Sequence, residues 1–233
     1  MPMTIAIRPP EYFPRLSYLS LAHHADRLIV ADTLQYSRQS FQNRAKLRNP
    51  DGWQWISVPL EGGQHGRVIK DVAIADRGRW RAKHWRAFMY NYRSTMYFEF
   101  FEDRLRPLFD ASWSRLADLT CRSVALLADL MDLDTPITRA SALPGAPNSV
   151  AGIVEAVGAE TLLAPPEAAA EDAPAAPHTR VLRYETPTYR QNFEGFVPGM
   201  SAADALFNYG PEARRFLTTG AHTQPYHPAA SNA

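Results

Sequence analysis

Residues 4–32 read TIAIRPPEYFPRLSYLSLAHHADRLIVAD, and this stretch decides the fold. Its first four residues are apolar and largely β-branched, and they end at RPP, where prolines cannot continue strand pairing. Leu16, Leu19 and Ala22 or His23 then follow at helical spacing, and RLIVAD is a second apolar run. A strand, a helix and a strand within about 30 residues predict a right-handed parallel βαβ unit.

Further along, two segments alternate between two faces as strands do: WQWISVPL (53–60) and RVIKDVAI (67–74). The glycine-rich turn EGGQHG separates them, so we expect an antiparallel hairpin inserted after the βαβ unit. Helical periodicity follows from Trp80 to Arg93 and again from Ser114 to Leu133.

Three more short strands are predicted at 136–141, 160–164 and 180–185, with a helix at 150–157 between the first two. The chain thus alternates strand and helix at both ends, with a meander in the middle. We predict an α/β fold: a mostly parallel sheet flanked by helices, with an inserted antiparallel hairpin.

The length of 233 residues suits one α/β domain, which we place at 1–220. Residues 164–177, APPEAAAEDAPAAP, are low in complexity, and we expect them to form a flexible surface loop. Residues 221–233 are expected to form a disordered tail, whose histidines have no rigid element to hold a metal.

The chain has no run of the roughly 18–20 apolar residues that a membrane helix needs. Its N-terminus, MPMTIAIRPP, lacks the charged region and apolar stretch of a secretory signal, so we expect a cytoplasmic protein without membrane insertion. The single cysteine, Cys121, excludes an internal disulfide, and its helical context indicates a core or half-buried residue more than a nucleophile.

Charge is unevenly distributed along the chain. The net charge is +1, which argues against a general nucleic-acid binder. Residues 35–93 nevertheless hold 12 Lys or Arg and 4 Asp or Glu, a balance of +8, so the remainder carries −7. A basic segment on an otherwise acidic chain suggests a locally bound anionic ligand.

Polar side chains crowd the stretch that follows the second predicted strand. Loops at the carboxyl ends of parallel strands form the ligand crevice of α/β sheets. Asp32 is the last residue of the second predicted strand, so it is expected at this edge of the sheet. The functional interpretation is that Asp32 and its polar followers face a polar, anionic ligand, since the arginine fork suits carboxylate and phosphate. The alternative is a long loop held in place by its own side chains. The candidate ligand contacts are Gln35, Arg38, Asn43 and Arg44.

The predicted helix from Trp80 carries an aromatic stripe, with Trp80, His84, Phe88 and Tyr92 four residues apart. Such a histidine is commonly a hydrogen-bonded core residue. The surrounding cations favour a second interpretation, a neutral base near pH 7, with Lys83 as a substrate contact. Aromatic and basic residues together also suit RNA, but the aromatic residues are needed to anchor the helix.

Near the C-terminus, Ser201 and Asp204 have a spacing close to that of a capping box. Asp204 is therefore either a cap partner or, with Asn208, a ligand contact. No phosphate-binding glycine loop, Cys-x-x-Cys, His-Glu-x-x-His or Gly-x-Ser-x-Gly is present, and no residues have metal-ligand spacing. We accordingly expect no metal and no cofactor.

Ordered motifs from Tyr12 to Pro211 resemble those of the WbqC-like family. They are Tyr12-Phe13-Pro14-Arg15-Leu16-Ser17-Tyr18, Asp32-Thr33-Leu34-Gln35-Tyr36-Ser37-Arg38, Asn43-Arg44, Trp80-Arg81-Ala82-Lys83-His84 and, at the C-terminal end, FVPGMSAADALFNYGP. The resemblance brings Tyr12 into the set of candidate substrate contacts. The chain departs from the family pattern at Arg8-Pro9-Pro10, where members usually carry His-Gln-Pro or Gln-Gln-Pro, and at 164–177.

The resemblance implies a role in polysaccharide biosynthesis, especially of O-antigen, or in related secondary metabolism. We expect a group transferase, with acyl or aminoacyl transfer to an anionic, nucleotide-linked amino sugar as the preferred chemistry. His84 or Asp32 would act as the base. No specific nucleic acid is expected as a partner, while a tRNA-linked donor stays open.

Two alternatives come from other classes of protein. One is a non-catalytic binding or scaffold protein, which the changed polar pair at Arg8-Pro9 favours. The other is a nucleotide-binding domain that adenylates or hydrolyses, although no His-x-x-His follows the first strand.

If one ligand uses all these groups, they must converge. We therefore predict that Asp32, Arg44 and His84 line one concave, partly accessible pocket and that Cys121 lies elsewhere.

Overall fold

A computed structural model of the protein describes residues 2–75 and 79–227. The described residues form eight strands: β1 (Thr4–Arg8), β2 (Arg27–Val30), β3 (Arg44–Asn49), β4 (Gly52–Ser57), β5 (Ile137–Arg139), β6 (Thr161–Ala164), β7 (His178–Tyr184) and β8 (Ala221–Pro225). Their α-helices are α1 (Leu16–His23), α2 (Trp80–Tyr92), α3 (Phe98–Leu105), α4 (Pro107–Asp110), α5 (Leu116–Leu130), α6 (Val150–Val157), α7 (Pro166–Asp172) and α8 (Ala202–Tyr209). Short 3₁₀ helices lie at Ile69–Asp71, Ala140–Ala142, Ala173–Ala175 and Gly210–Leu217.

The main sheet has six strands in the order β5-β2-β1-β6-β7-β8. β1 lies inside it and pairs in parallel with β2 on one side and β6 on the other. All pairings in this sheet are parallel except that of β8 with β7. The α/β class, the mostly parallel sheet and its flanking helices are therefore confirmed.

The central strands β1, β2 and β6 are apolar on both faces, as parallel strands covered on both sides must be. Ala6, Leu28 and Leu163 face a large core that includes α1, α2, α5 and α8. Ile7 and Ile29 belong to a smaller cluster on the opposite face, under α6. The predicted βαβ unit is present as β1, α1 and β2.

An aromatic cluster holds α2 in the large core. Phe88 has no exposed surface, and its ring centroid lies 4.7 Å from that of Phe13 and 6.0 Å from that of Phe207 on α8. α8 ends at Tyr209 and is capped by Gly210, whose φ is +57°. A Cβ there would come within 2.5 Å of the Tyr97 ring, so both the backbone conformation and the close packing require glycine.

The inserted hairpin is present, but its strands differ from the predicted ones. β4 pairs with β3, with Lys46 opposite Trp55, and not with residues 67–74. The latter segment contains a 3₁₀ helix and only isolated bridges, such as Leu60 with Ile74. The sequence RAKLRN buries only Ala45 and Leu47 on its alternating inner face, which is too weak a pattern to identify a strand.

Two further segments contain regular structure that the sequence did not predict. In segment 164–177, predicted as a flexible surface loop, Pro166–Asp172 form α7, because alanine favours helix, proline suits the first turn and Ala169 packs against the sheet. In segment 221–233, predicted as a disordered tail, Ala221–Pro225 form β8 along the free edge of β7. Residues 228–233 lie outside the described residues.

The two long predicted helices correspond to α2 and α5, and the helix at 150–157 to α6. The strands expected at 136–141, 160–164 and 180–185 correspond to β5, β6 and β7. In the part of the chain that the structure describes, no helix has the length and apolar character needed to cross a membrane.

Replacing Phe88 by Ala should lower the free energy of unfolding by about 3–5 kcal/mol, because it opens a cavity among packed rings. The matched control is Phe100→Ala on α3, whose side chain is 75% exposed and whose loss should cost less than about 0.5 kcal/mol. Urea unfolding of both variants measures the difference. Equal effects would contradict the described position of α2.

Candidate functional site

The carboxyl ends of β1, β6 and β7 border a cavity of about 350 Å³, which we call the strand-end crevice. The chain leaves β1 toward β2 on one side, whereas it leaves β6 toward β7 on the other. Ligands of open α/β sheets bind where the strand order reverses in this way. The polar residues that line the crevice are Arg8, Glu11, Arg15, Tyr18, Arg183, Tyr184 and their neighbours.

An ion pair builds one wall of the crevice. Arg15 Nη2 donates to Glu11 Oε1 at 2.6 Å, and the Arg15 backbone N–H and Nε both donate to Glu11 Oε2 at 3.3 Å. The Arg15 guanidinium also lies 3.8 Å from the centroid of the Phe41 ring. Because Glu11 is buried and bonded three times by one partner, it fixes the start of α1 and the direction of Arg15.

The Arg8 guanidinium is paired more weakly within the protein than that of Arg15. Its Nη2 lies 3.8 Å from Glu167 Oε1, a long contact to a side chain that is 67% exposed. Such pairs contribute little, so the Arg8 guanidinium can turn to an anionic ligand at small cost. Arg8 also lines a second cavity of about 590 Å³ on the other side of β1, next to the start of α6. The crevice lining contains three arginines and the three glutamates Glu11, Glu167 and Glu185, so its charges are balanced. Arg8 is the weakly paired cation that is free to meet an oxyanion.

Sequence reasoning placed the crevice at the end of β2, and it missed Glu11 and Arg183 as lining residues. A signal existed: Glu11 and Arg15 are four residues apart and directly follow the first strand, where a polar crevice was to be sought. Arg183 had no recognisable signal, because its role depends on β7 lying next to β6.

Asp32 has no exposed surface. Its carboxylate accepts hydrogen bonds from Arg139 Nε at 2.8 Å, the Ser141 backbone N–H at 2.9 Å and Ser141 Oγ at 2.6 Å. These bonds tie the end of β2 to the residues that follow β5. The described surroundings of Asp32 give it a structural role, and its catalytic role stays a prediction.

His84 is 5% exposed and is surrounded by aromatic rings. Its Nδ1 shares a hydrogen bond of 3.0 Å with the hydroxyl of Tyr12, which is itself buried. Burial lowers the pKa of His84 to about 4, although a hydrogen bond to the Ser57 backbone partly opposes the shift. The imidazole is thus neutral at pH 7 because it is buried and not because of neighbouring cations, which were the expected cause. It is enclosed, and Tyr12 is its partner.

The polar loop that follows β2 satisfies much of its own hydrogen-bonding capacity. Gln42 Oε1 accepts from the Ser37 backbone N–H, and Arg44 donates to the carbonyl groups of Gln39 and Ser40. Asn43 accepts from the Tyr36 hydroxyl and donates to Val58 O. This bonding supports the second interpretation of the loop, a connection held in place by its own side chains.

Arg38, Asn43 and Arg44 do come together, around a cleft of about 500 Å³. The sequence predicted that Asp32, Arg44 and His84 line one pocket. Neither Asp32 nor His84 lines this cleft, so Arg44 does not share it with them. Gln35 is exposed and bridges to Val68 through its backbone, and Lys83 is exposed on α2. Their roles as substrate contacts stay predictions.

Asp204 is fully buried in a different network. The Tyr189 hydroxyl donates to its Oδ2 at 2.7 Å and Gln191 Nε2 at 2.9 Å, and burial raises the pKa of the carboxyl. It is not a capping-box partner, because the Ser201 backbone N–H donates to Lys46 O. Asn208 Nδ2 donates to the Asp204 carbonyl along α8, away from the crevice residues.

Cys121 lies on α5 and is not among the crevice residues. Burial raises the pKa of its thiol to about 12, so it is not poised as a thiolate nucleophile. Among the described residues, no group of three or more His, Cys, Asp or Glu side chains could hold a metal ion.

The sequence profile of the WbqC-like protein family matches residues 9–216. The chain is also similar to the uncharacterized protein Rv1507c of Mycobacterium tuberculosis (strain ATCC 25618 / H37Rv). The two are 27% identical over 224 residues, which cover 91% of this chain and 96% of that protein. No solved structure matches the chain significantly.

Asp32→Asn should lower the free energy of unfolding by about 2–3 kcal/mol, because it weakens charge-assisted bonds in a buried position. The matched control is Asp118→Asn. Asp118 bonds the same Arg139 at 2.8 Å but is 49% exposed, so its loss should cost less than about 1 kcal/mol. Chemical denaturation distinguishes the two, and an Asp32→Asn variant as stable as the control would refute the structural role.

His84 should make folding weaker at acidic pH. The unfolded chain binds the proton near pH 6.5, whereas the folded chain binds it only near pH 4. The neutral form therefore stabilises the fold fully above about pH 7, and up to about 2–3 kcal/mol is lost as the pH falls from 6.5 to 4. Unfolding free energies measured across this range should fall less steeply for His84→Gln. The exposed His65→Gln control should keep the wild-type slope, and identical slopes for all three proteins would contradict the burial of His84.

Proposed function

The chain belongs to the WbqC-like protein family, and we propose that it is a group transferase whose substrate binds in the strand-end crevice. The substrate class is an anionic small molecule of the kind of a nucleotide-linked amino sugar. The pathway would be the synthesis of cell-surface polysaccharide or a related secondary metabolite. This last part rests on the association that the family resemblance implies.

The position and weak pairing of Arg8 support the proposal that an anionic substrate binds in the crevice. Arg8 ends β1 at the point where the strand order reverses, and its only described ion pair is the 3.8 Å contact to exposed Glu167. A guanidinium that is held by the sheet and weakly paired suits a phosphate or carboxylate, which it can bind through two N–H groups. Arg183 adds a second exposed cation at the same rim.

In acyl or aminoacyl transfer, an amine nitrogen bonds to the acyl carbon, the bond between that carbon and the carrier's sulfur or oxygen breaks, and the leaving carrier takes up the proton that the amine loses. Under this proposal the chain contributes binding and alignment of the two substrates, which lowers the entropic part of the barrier. Asp32 and His84 then act on the site only through the folded framework. Under this proposal Arg8 and Arg183 contact the substrate in place of the residues expected from the sequence, and Glu11 holds Arg15 in position beside them.

A non-catalytic binding protein of the same pathway is the second candidate. The specific observation in its favour is that both predicted catalytic groups, Asp32 and His84, are buried and hydrogen bonded within the protein. A binding protein and a transferase would share the crevice and would differ in turnover.

Arg8→Ala should weaken the binding of uridine and thymidine diphosphate amino sugars by about tenfold or more, because a charge-assisted contact is lost. Isothermal titration with the wild type, Arg8→Ala and the control Arg86→Ala measures this. Arg86 is exposed on α2 and is not a crevice residue, so its variant should bind as the wild type does.

Turnover separates the two candidates. Mass spectrometry after incubation with an acyl-thioester donor and the bound sugar should show an acylated product that is reduced in Arg8→Ala. Binding without product from any donor would favour the non-catalytic candidate. Equal affinity of wild type and Arg8→Ala for every sugar would exclude this crevice as the site.

A further inference from the structure

Tyr18 is exceptional among the buried tyrosines of this chain. Its side chain is 3% exposed, and its hydroxyl has no hydrogen-bond partner among the described residues. The hydroxyl groups of the other buried tyrosines, Tyr12, Tyr36, Tyr92 and Tyr189, each have one, in His84 Nδ1, Asn43 Oδ1, the Arg48 backbone N–H and Asp204 Oδ2. Native proteins rarely bury a polar group without a partner, and each such group calls for a physical reason.

The position of Tyr18 supplies that reason. Tyr18 lies on α1 and is a lining residue of the strand-end crevice, together with Arg8 and Arg15. The ring is packed in the core, and the crevice is the open space that the residue borders, so the crevice is the route by which an acceptor would reach the hydroxyl.

The surroundings also determine which partner fits. Glu11 is the carboxylate whose charge acts on Tyr18, but Arg15 already donates three hydrogen bonds to it. Burial and the charge of Glu11 hold the pKa of Tyr18 well above its usual range, so the hydroxyl remains a donor at neutral pH. Next to Arg8, a donor of this kind matches an acceptor that carries negative charge.

We propose that the Tyr18 hydroxyl donates a hydrogen bond to an oxyanion of the crevice ligand, a phosphoryl or carboxylate oxygen that Arg8 also contacts. This assignment rests on the proposed function, which places the ligand in the crevice. It adds a residue outside the predicted site and specifies the ligand group that the residue recognises.

The thermal stability of two variants tests whether the Tyr18 hydroxyl lacks a hydrogen-bond partner in the free protein. Tyr12→Phe removes the partner of His84 Nδ1 and should lower the midpoint of thermal unfolding. Tyr18→Phe removes a hydroxyl that has no partner in the free protein and should leave the midpoint unchanged or raise it. A Tyr18→Phe midpoint that falls as far as that of Tyr12→Phe would show an internal partner and overturn the inference.

Ligand titration tests whether the Tyr18 hydroxyl donates to an oxyanion of the ligand. The probes are inorganic phosphate, uridine diphosphate and malonate, and each is titrated into the wild type, Tyr18→Phe and Arg8→Ala. Affinity for the recognised oxyanion should fall by about tenfold in Tyr18→Phe, the usual effect of losing one hydrogen bond to a charged group. Loss confined to the two phosphates identifies a phosphoryl group, and loss confined to malonate identifies a carboxylate.

The two variants distinguish a failure of the inference about Tyr18 from a failure of the proposed binding site. If Arg8→Ala loses affinity and Tyr18→Phe does not, the inference about Tyr18 is wrong and the proposed crevice stands. If neither variant changes an affinity that the wild type shows, the ligand binds elsewhere and both are wrong. A wild type that binds none of the three probes also overturns the oxyanion assignment.

Discussion

The pairing of β1 on both of its edges constrains the rest of the molecule. Backbone groups of β1 bond to β2 on one side and to β6 on the other, so the strand cannot shift without breaking two parallel ladders. The segment Arg8-Pro9-Pro10 begins where these ladders end, and its prolines prevent further pairing. Arg8 is consequently delivered to a fixed place, the end of the sheet where the connections diverge.

Buried polar side chains then connect the surrounding elements to this frame. Asp32 joins the end of β2 to the residues after β5, Glu11 fixes the start of α1, and Asp204 holds the segment that contains Tyr189 and Gln191. Each carboxylate has at least two bonds to the protein, as buried charges require. The residues that look most reactive in the sequence are thus those that the fold uses internally, whereas the crevice presents Arg8, whose described ion pair is long and weak.

Much of the fold was predictable because its signals are local. The apolar runs of β1, β2 and β6 and the periodicity of α2 and α5 lie in short windows, and the elements form where these patterns occur. β3 and β8 were missed for the opposite reason. RAKLRN and AHTQP carry weak strand patterns, and each becomes a strand because a neighbouring strand offers an edge.

The candidate site was less predictable, because strand order is not written in local sequence. Asp32 and Arg8 both end an apolar strand, and sequence patterns alone do not say which strand lies at the reversal. The burial of His84 depends on the rings of Tyr12 and Trp80, which pack against the imidazole from two separate segments. Hydrogen-bonding capacity in the loop after β2 was visible in the sequence, but its inward direction was not.

β8 has a consequence for how the chain tolerates shortening. It pairs with β7 from Arg180 opposite Pro225 to Tyr184 opposite Ala221. A protein cut back to residue 220, a natural choice if the last residues are taken for a tail, would expose the β7 edge to other molecules. Open edges of this kind invite intermolecular strand addition. β8 is itself the last strand of the sheet, so it replaces the edge of β7 by a shorter, more polar edge that ends in Pro225 and is a poorer template for strand addition.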